Sequence, residues 1–483
     1  MFKKHPKGLT LLFSTELWER FSYYGMRALL VLYMTKALDY SDPKALGVYG
    51  AYGALVYATP LLGGLLADRI LGQRNSIVLG AILMTLGHFM MAFDTIITFY
   101  TALGLLVVGN GFFKPNMAPL LGKLYRDDDP LREGAFTIFY MGVNIGAFVA
   151  PLACGELAKI FGWHAGFSLA GFGMLFGLVI FYGQQKIFGK DGLPPSSGTR
   201  PLLAGLTPLR LVWIGAFLSI PFFALLMNQS EIMSYLLFVL GVVALGYVAY
   251  NGFRVSKIEG ARLLVAMILI FFSILFWAFY FQAGGSLTLF ADRNIDRDLG
   301  FFTVSAAQLE AVNALWILIL ALPLARAWEW LSKSGREPSI PAKFAYGTIT
   351  LGLSFLIFSY GRFLASEALI PLTVLIFGYM IFTLGELLVS PVGLSMVTRL
   401  SPAKIVSFMT GVWFLSSSFA NYIAALIGKM TAAPPTATGS IDPAETLGIY
   451  TTIYEQLGFV AIAAGLLLLV FNKPLTRLMH LDD

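Results

Sequence analysis

Apolar residues run through this chain in blocks of about 18 to 25, each closed by a polar or charged turn, from near the first residue almost to the last. A helix rising about 1.5 Å per residue crosses the hydrocarbon of a bilayer in roughly that length, so each block predicts a transmembrane α-helix. The short alternating segments of an outer-membrane β-barrel do not occur. Spans are placed at residues 10–36, 46–67, 77–93 and 98–121, with a fifth beginning near Phe136 and a sixth at 166–182. A Gly-, Pro- and Ser-rich stretch at 189–207 then reads as a linker. Two further apolar segments, 211–227 and 235–253, carry no buried charge and read as an inserted hairpin. The second set of spans lies at 262–290, 304–324, 344–360, 370–389, 406–427 and 447–471. The expectation is an all-α integral membrane protein of about fourteen spans. Residues 1–188 form an N-terminal six-helix bundle, 189–260 the linker and inserted hairpin, and 261–483 a C-terminal six-helix bundle.

One span departs from the apolar pattern. Glu16, Glu19, Arg20, Tyr23, Tyr24 and Arg27 recur at helical spacing and form one polar stripe, with Leu17, Phe21, Ala28 and Leu32 on the opposite face. A charge exposed to lipid near the bilayer centre costs at least roughly 2.5 kcal/mol, so this stripe is expected to face protein or a watered cavity. The plainer reading is a structural cluster in which the carboxylates neutralise Arg20. Further ionisable groups fall inside predicted spans: Lys114 beside Pro115, Glu386 near Pro391, and Glu310 three residues before Asn313.

Composition agrees with a membrane protein: 57% of residues are hydrophobic and 12% charged, with a mean hydropathy of +0.76. The net charge of +6 is not a nucleic-acid signal, because most Lys and Arg fall in the turns on one side of the predicted spans. By the positive-inside rule that side is the cytoplasm, which also holds both termini of a multi-pass cell (inner) membrane protein. No signal peptide is expected ahead of the first span. Cys154 is the single cysteine, and the four histidines lack ligand spacing, so neither a disulfide nor a metal site is expected. His88 reads as a hydrogen-bonded core residue. Without a phosphate loop, an activated nucleophile or a repeated polar ring, the sequence argues against an enzyme, an ATP-driven pump and a channel, and calls for no cofactor.

What remains is a set of separated opposite charges, Arg27 and Lys114 in the first half and Glu386 in the second. Such a set suits a zwitterion whose carboxylate meets Arg27 and Lys114 while its ammonium meets Glu386. The two are also expected to pair with each other, Lys114 with Glu386, when no substrate is bound. Tyr23, Tyr24, Tyr57, Asn144 and Asn313 can bond amide groups, and Trp277 and Trp413 offer adaptable apolar walls. Ser417 and Asn421 share a helix face with Trp413. Small peptides as substrate and the lipid bilayer are the expected partners, with no nucleic acid and no obligate protein partner.

These residues also carry a resemblance. E-L-W-E-R-F-S-Y-Y-G at 16–25 resembles the ExxERFxYYG motif of the proton-dependent oligopeptide transporters, a branch of the major facilitator superfamily. F-K-P-N at 113–116, F-T-I-F-Y-M-G-V-N-I-G-A-F at 136–148, E-L-L-V-S-P-V-G at 386–393 and G-V-W-F-L-S at 411–416 resemble that family's other signatures, in order. The stretch 63–74, G-G-L-L-A-D-R-I-L-G-Q-R, is similar to the superfamily's loop between spans 2 and 3, which implies a gating hinge. The resemblance implies the major facilitator fold with the inserted helix pair of prokaryotic members, and proton-coupled import of di- and tripeptides by alternating access. It ties Glu16, Glu19 and Arg20 to the coupling proton. It places Tyr24, Arg27, Tyr57, Lys114, Asn144, Asn313, Glu386, Trp413 and Ser417 around the peptide.

Two positions depart from the family pattern. Phe281 stands four residues after Trp277, where an acidic residue is usual, and span 8 reads Glu310, Ala311, Val312, Asn313, Ala314 instead of Q-x-x-N-P. Glu310 is therefore expected to take over the missing carboxylate's part in proton coupling and to partner Arg27. The alternative is a transporter of the same fold for another amine-bearing or anionic solute, or one with altered coupling.

Overall fold

The structure, a computed structural model, describes residues 4–126, 128–201, 206–229, 232–434 and 441–480. The expected linker is thus described except for 202–205. The helices in chain order are α1 (Lys7–Lys36), α2 (Asp42–Leu66), α3 (Gly72–Met90), α4 (Ile96–Gly122), α5 (Arg132–Phe161), α6 (Trp163–Gln184), the short α7 (Ser196–Thr199), α8 (Pro208–Asn228), α9 (Ile232–Gly252), α10 (Lys257–Tyr280), α11 (Ser286–Asn294), α12 (Ala311–Lys333), α13 (Ile340–Tyr360), α14 (Leu372–Leu400), α15 (Val406–Met430), α16 (Pro443–Val470) and α17 (Asn472–Met479). Two-residue strands β1 (Ile295–Asp296) and β2 (Ile370–Pro371) pair in parallel.

Among the described residues, twelve helical stretches are long and apolar enough to cross a membrane. The expected count of about fourteen is reconciled by two physical details. A π-helical turn, Ala67–Leu71, carries α2 into α3, so the two run as one stretch. The polar stripe of α1 makes that helix too charged to qualify on composition.

Contacts group the chain into two compact units, one of residues 1–33 and 51–230, the other of 34–50 and 231–483. The inserted pair expected as a hairpin is divided between them. In the first unit, α8 packs on α4, with Ala216 and Ile220 joining Leu79, Leu83, Leu105, Val108 and Phe112 in one apolar cluster. In the second, α9 rests on α15, where the Tyr247 and Phe408 rings lie 4.3 Å apart.

Close backbone approach sets the first unit's geometry. A Cβ on Gly63 of α2 would lie 1.9 Å from the Gly111 carbonyl oxygen of α4, so only glycine fits there. The charged stretch after it, expected as a loop, is wound instead into the π turn and ends at Gly72, whose φ of +70° favours glycine. The start of the linker holds it: Arg74 Nη1 donates to the Gly189 carbonyl (2.9 Å) and Ser197 Oγ to that of Arg69 (2.8 Å).

In the second unit α13 packs against α14 and α16, and α10 against α15. The span expected to run unbroken over 262–290 is interrupted. α10 stops at Tyr280, a 3₁₀ turn covers Phe281–Gly284, and α11 restarts at Ser286. Side chains take up backbone groups at the break: Gln282 Nε2 donates to the Ala278 carbonyl (3.1 Å) and Thr288 Oγ1 to that of Ala283 (2.9 Å), while Gln282 Nε2 also reaches the Ala424 carbonyl of α15 (2.9 Å). The next span begins later than expected, with a 3₁₀ turn at Gln308–Glu310, and runs on to Lys333.

Candidate transport site

The first unit gathers its charges on α1, where helical spacing stacks Glu16, Glu19 and Arg20 over one another. All three are buried. Arg20 Nε lies 3.1 Å from Glu16 Oε1 and also contacts Glu19 Oε2, so one guanidinium bridges two carboxylates. The Arg20 guanidinium sits 5.3 Å from the centre of the Tyr23 ring, and that of Arg27 5.8 Å from the Tyr24 ring. Tyr23 and Tyr24 meet edge to face at 5.2 Å. The stripe read from the sequence is thus one contiguous polar surface, half-buried at its tyrosines and at Arg27.

Lys114 joins it from α4. Its Nζ lies 4.3 Å above the Tyr57 ring of α2, and it interacts electrostatically with Glu16, Glu19 and Tyr23. Pro115, inside α4, cannot donate to the helix ladder. Asn144 is buried on α5, but its Nδ2 donates to the Tyr140 carbonyl of its own helix (2.9 Å). His88 is buried without a hydrogen bond to either ring nitrogen among the described residues. The expectation of a hydrogen-bonded core histidine is therefore corrected to one packed among apolar neighbours, beside Gly171.

In the second unit Glu386, also buried, is held from another helix. Asn313 Nδ2, on α12, donates to Glu386 Oε2 (3.2 Å) and to Thr383 Oγ1 (3.0 Å), while Tyr280 OH donates to Asn313 Oδ1 (3.3 Å). Tyr280 is itself fixed by stacking on Phe382 at 4.8 Å, and Trp277 stacks on Phe281 at 5.7 Å. Trp413 packs over Gly393 so closely that a Cβ there would lie 2.2 Å from the indole. Ser417 lies one turn along α15 and is buried. Glu310 stands just before α12 without a side-chain bond to that helix's first turn, and its Oε1 accepts from Thr288 Oγ1 of α11 (3.0 Å).

The sequence reading did not single out Tyr280 or Thr383. Thr383 sits three residues before Glu386, a spacing that shares a helix face, and Tyr280 lies in the aromatic run F-W-A-F-Y-F at 276–281, so both carried a usable signal. It also passed over a bidentate pair in the second unit. Arg293 Nη1 and Nη2 donate to the two Asp42 oxygens (2.6 and 2.7 Å), and Nη1 reaches Tyr450 OH (3.1 Å). Lys36 Nζ pairs beside it with Asp292 (2.7 Å). These residues are hundreds of positions apart, and nothing local announces the pairing.

Comparison with known proteins fits this geometry. The sequence profile of the POT family matches residues 74–446. Dipeptide and tripeptide permease B of Salmonella typhimurium is 32% identical over 99% of this chain and 97% of its own length. Permease A of Escherichia coli is 35% identical over 99% and 94%. A crystal structure of a mutant peptide transporter POT in complex with alafosfalin superposes with a TM-score of 0.86 at 34% identity, covering 99% of this chain and 97% of that one. A bacterial homologue of the human drug peptide transporters PepT1 and PepT2 gives 0.85 at 33% identity and 98% of each chain. The major facilitator fold, the buried charge clusters and full-length similarity to peptide permeases agree, and the chain belongs to the POT family of proton-dependent oligopeptide transporters.

Proposed function

We propose that this chain is a proton-coupled symporter that imports di- and tripeptides across the cell membrane by alternating access. The observation that carries the reading is the full-length similarity to dipeptide and tripeptide permeases together with the α1 cluster and the buried Glu386. Arg27 and Lys114 are the cations for the peptide carboxylate, and Glu386, oriented by Asn313, is the anion for its ammonium. Tyr23, Tyr24, Tyr57, Asn144 and Ser417 bond the amides, with Trp277 and Trp413 as walls. Glu16, Glu19 and Arg20 carry the proton, and Glu310 substitutes for the acidic residue replaced by Phe281. Both termini lie in the cytoplasm of an inner-membrane protein, in line with the concentration of Lys and Arg on one side of the spans.

Purified protein alone, in sealed liposomes with an imposed inward proton gradient, is expected to accumulate a labelled dipeptide above equilibrium. The same gradient collapsed by a protonophore should leave only equilibration. Uptake of single amino acids or organic anions with no dipeptide uptake would replace this reading with another substrate on the same fold.

A further inference from the structure

A basic pocket lies within the second unit where α13 begins and α16 hands over to α17. It is open to the surface and has a volume of about 440 Å³. Three cations line it: Arg336 from the α12–α13 turn, and Lys473 and Arg477 one turn apart on α17. Ser339, Asn472 and Thr476 supply its neutral polar groups. Asn472 Oδ1 accepts from Ser339 Oγ (2.5 Å) and from Thr476 Oγ1 (3.4 Å), which leaves the Asn472 amide N–H groups as donors for a ligand. The nearest carboxylate of the turn, Glu337, is engaged by Lys343 (2.6 Å), and that bond holds it below the usual carboxylate range. Three cations around one cavity therefore call for an anion.

The surroundings specify which kind. α17 buries Leu475 and Met479 against the bundle and turns Lys473 and Arg477 outward, the arrangement of a helix lying in a membrane interface. Tyr346, also lining the cavity, is 44% exposed, and Val470 and Phe471 beside it are 74% and 51% exposed. Exposed apolar residues beside a basic pocket provide for acyl chains as well as a headgroup. Trp330, 63% exposed near the end of α12, marks the interfacial depth. We propose that this cavity binds the phosphodiester headgroup of an anionic phospholipid from the leaflet that the charge distribution assigns to the cytoplasm. Arg336, Lys473 and Arg477 are its ligands, and the acyl chains run down the Tyr346 and Val470 face.

The full-length protein in neutral detergent, titrated with dioleoyl phosphatidylglycerol while thermal unfolding is followed, tests this. A saturable rise in unfolding temperature is expected, with none from phosphatidylcholine at the same concentration. In R336Q/K473Q/R477Q the half-saturating phosphatidylglycerol concentration should rise on the order of a hundredfold, at about fivefold per cation. The lipid-free unfolding temperature and dipeptide counterflow in phosphatidylcholine liposomes should stay at parental values. If the triple variant does not fold, K473Q and R477Q singly should each shift the titration about fivefold. An unchanged phosphatidylglycerol response in the variants overturns the proposal. So does an equal response to phosphatidylcholine, or one reproduced by inorganic phosphate, which would make the site one for a soluble anion.

Discussion

Glu19 and Glu386 are both buried carboxylates on long helices, yet they are held in opposite ways. Glu19 shares its guanidinium partner, Arg20, with Glu16, and the whole cluster fits within one and a half turns of α1. Two carboxylates against one guanidinium leave a net charge of −1 when both are ionised, so taking up one proton neutralises the cluster in a medium that screens poorly. Glu386 is positioned by Asn313, a neutral amide from another helix, itself oriented by Tyr280. That hydrogen bond aims the carboxylate without cancelling its charge. On the function proposed above, the contrast would separate a device for handling a proton from one suited to an arriving ammonium.

The largest expected effect breaks the second site. Glu386→Ala should reduce gradient-driven dipeptide uptake at least about a hundredfold, since a charge-assisted contact is worth roughly 1.5–3 kcal/mol and its loss also strands the ammonium. Normal transport by this variant would remove the amine-binding assignment. Next comes Glu19→Gln, which should bring accumulation in proteoliposomes down to equilibration while counterflow, needing no net proton movement, persists. If both activities fall together, the α1 cluster is structural and the contrast fails.

Smaller effects sharpen it. Asn313→Ala should raise the KM for a dipeptide about five- to tenfold with kcat largely kept, the scale of roughly 1 kcal/mol of lost positioning of the Glu386 carboxylate. A loss confined to kcat would mean that Asn313 serves a conformational step instead of positioning Glu386. Glu310→Gln should lower proton-driven uptake, and adding Phe281→Glu should restore part of it, both read as initial rates. Wild-type rates in Glu310→Gln alone would leave the α1 carboxylates as the proton's only candidates. Thr383→Val, which removes Asn313's second acceptor, should change KM by less than about threefold.

The α1 cluster was legible in the sequence because every partner lies within five residues, and a 3.6-residue period converts that spacing into contact. Lys114 was legible as a buried cation, but its seat over Tyr57 depends on α2 and α4 meeting at Gly63 and Gly111. Tyr280 and Thr383 were not assigned because aromatic and hydroxyl residues inside spans usually pack or bond their own helix, as Thr383 Oγ1 also does in donating to the Tyr379 carbonyl (2.7 Å). The break at Phe281–Gly284 escaped hydropathy altogether, since it falls in an otherwise apolar run where one side chain, Gln282, serves the Ala278 carbonyl and ties the break to α15.

The sequence by itself determined the membrane class, the number and order of the spans and the polar face of α1. Those follow from the cost of placing polar groups in hydrocarbon, which acts residue by residue and on neighbours one turn away. Only the tertiary structure decided that α8 joins the first unit and α9 the second, that Asp42 clamps Arg293, and that Asn313 holds Glu386. Apolar helix faces are nearly interchangeable in lipid, so hydropathy cannot choose among their partners. The choice rests on where small residues let backbones approach and on which polar group, brought in from far along the chain, completes a buried hydrogen bond.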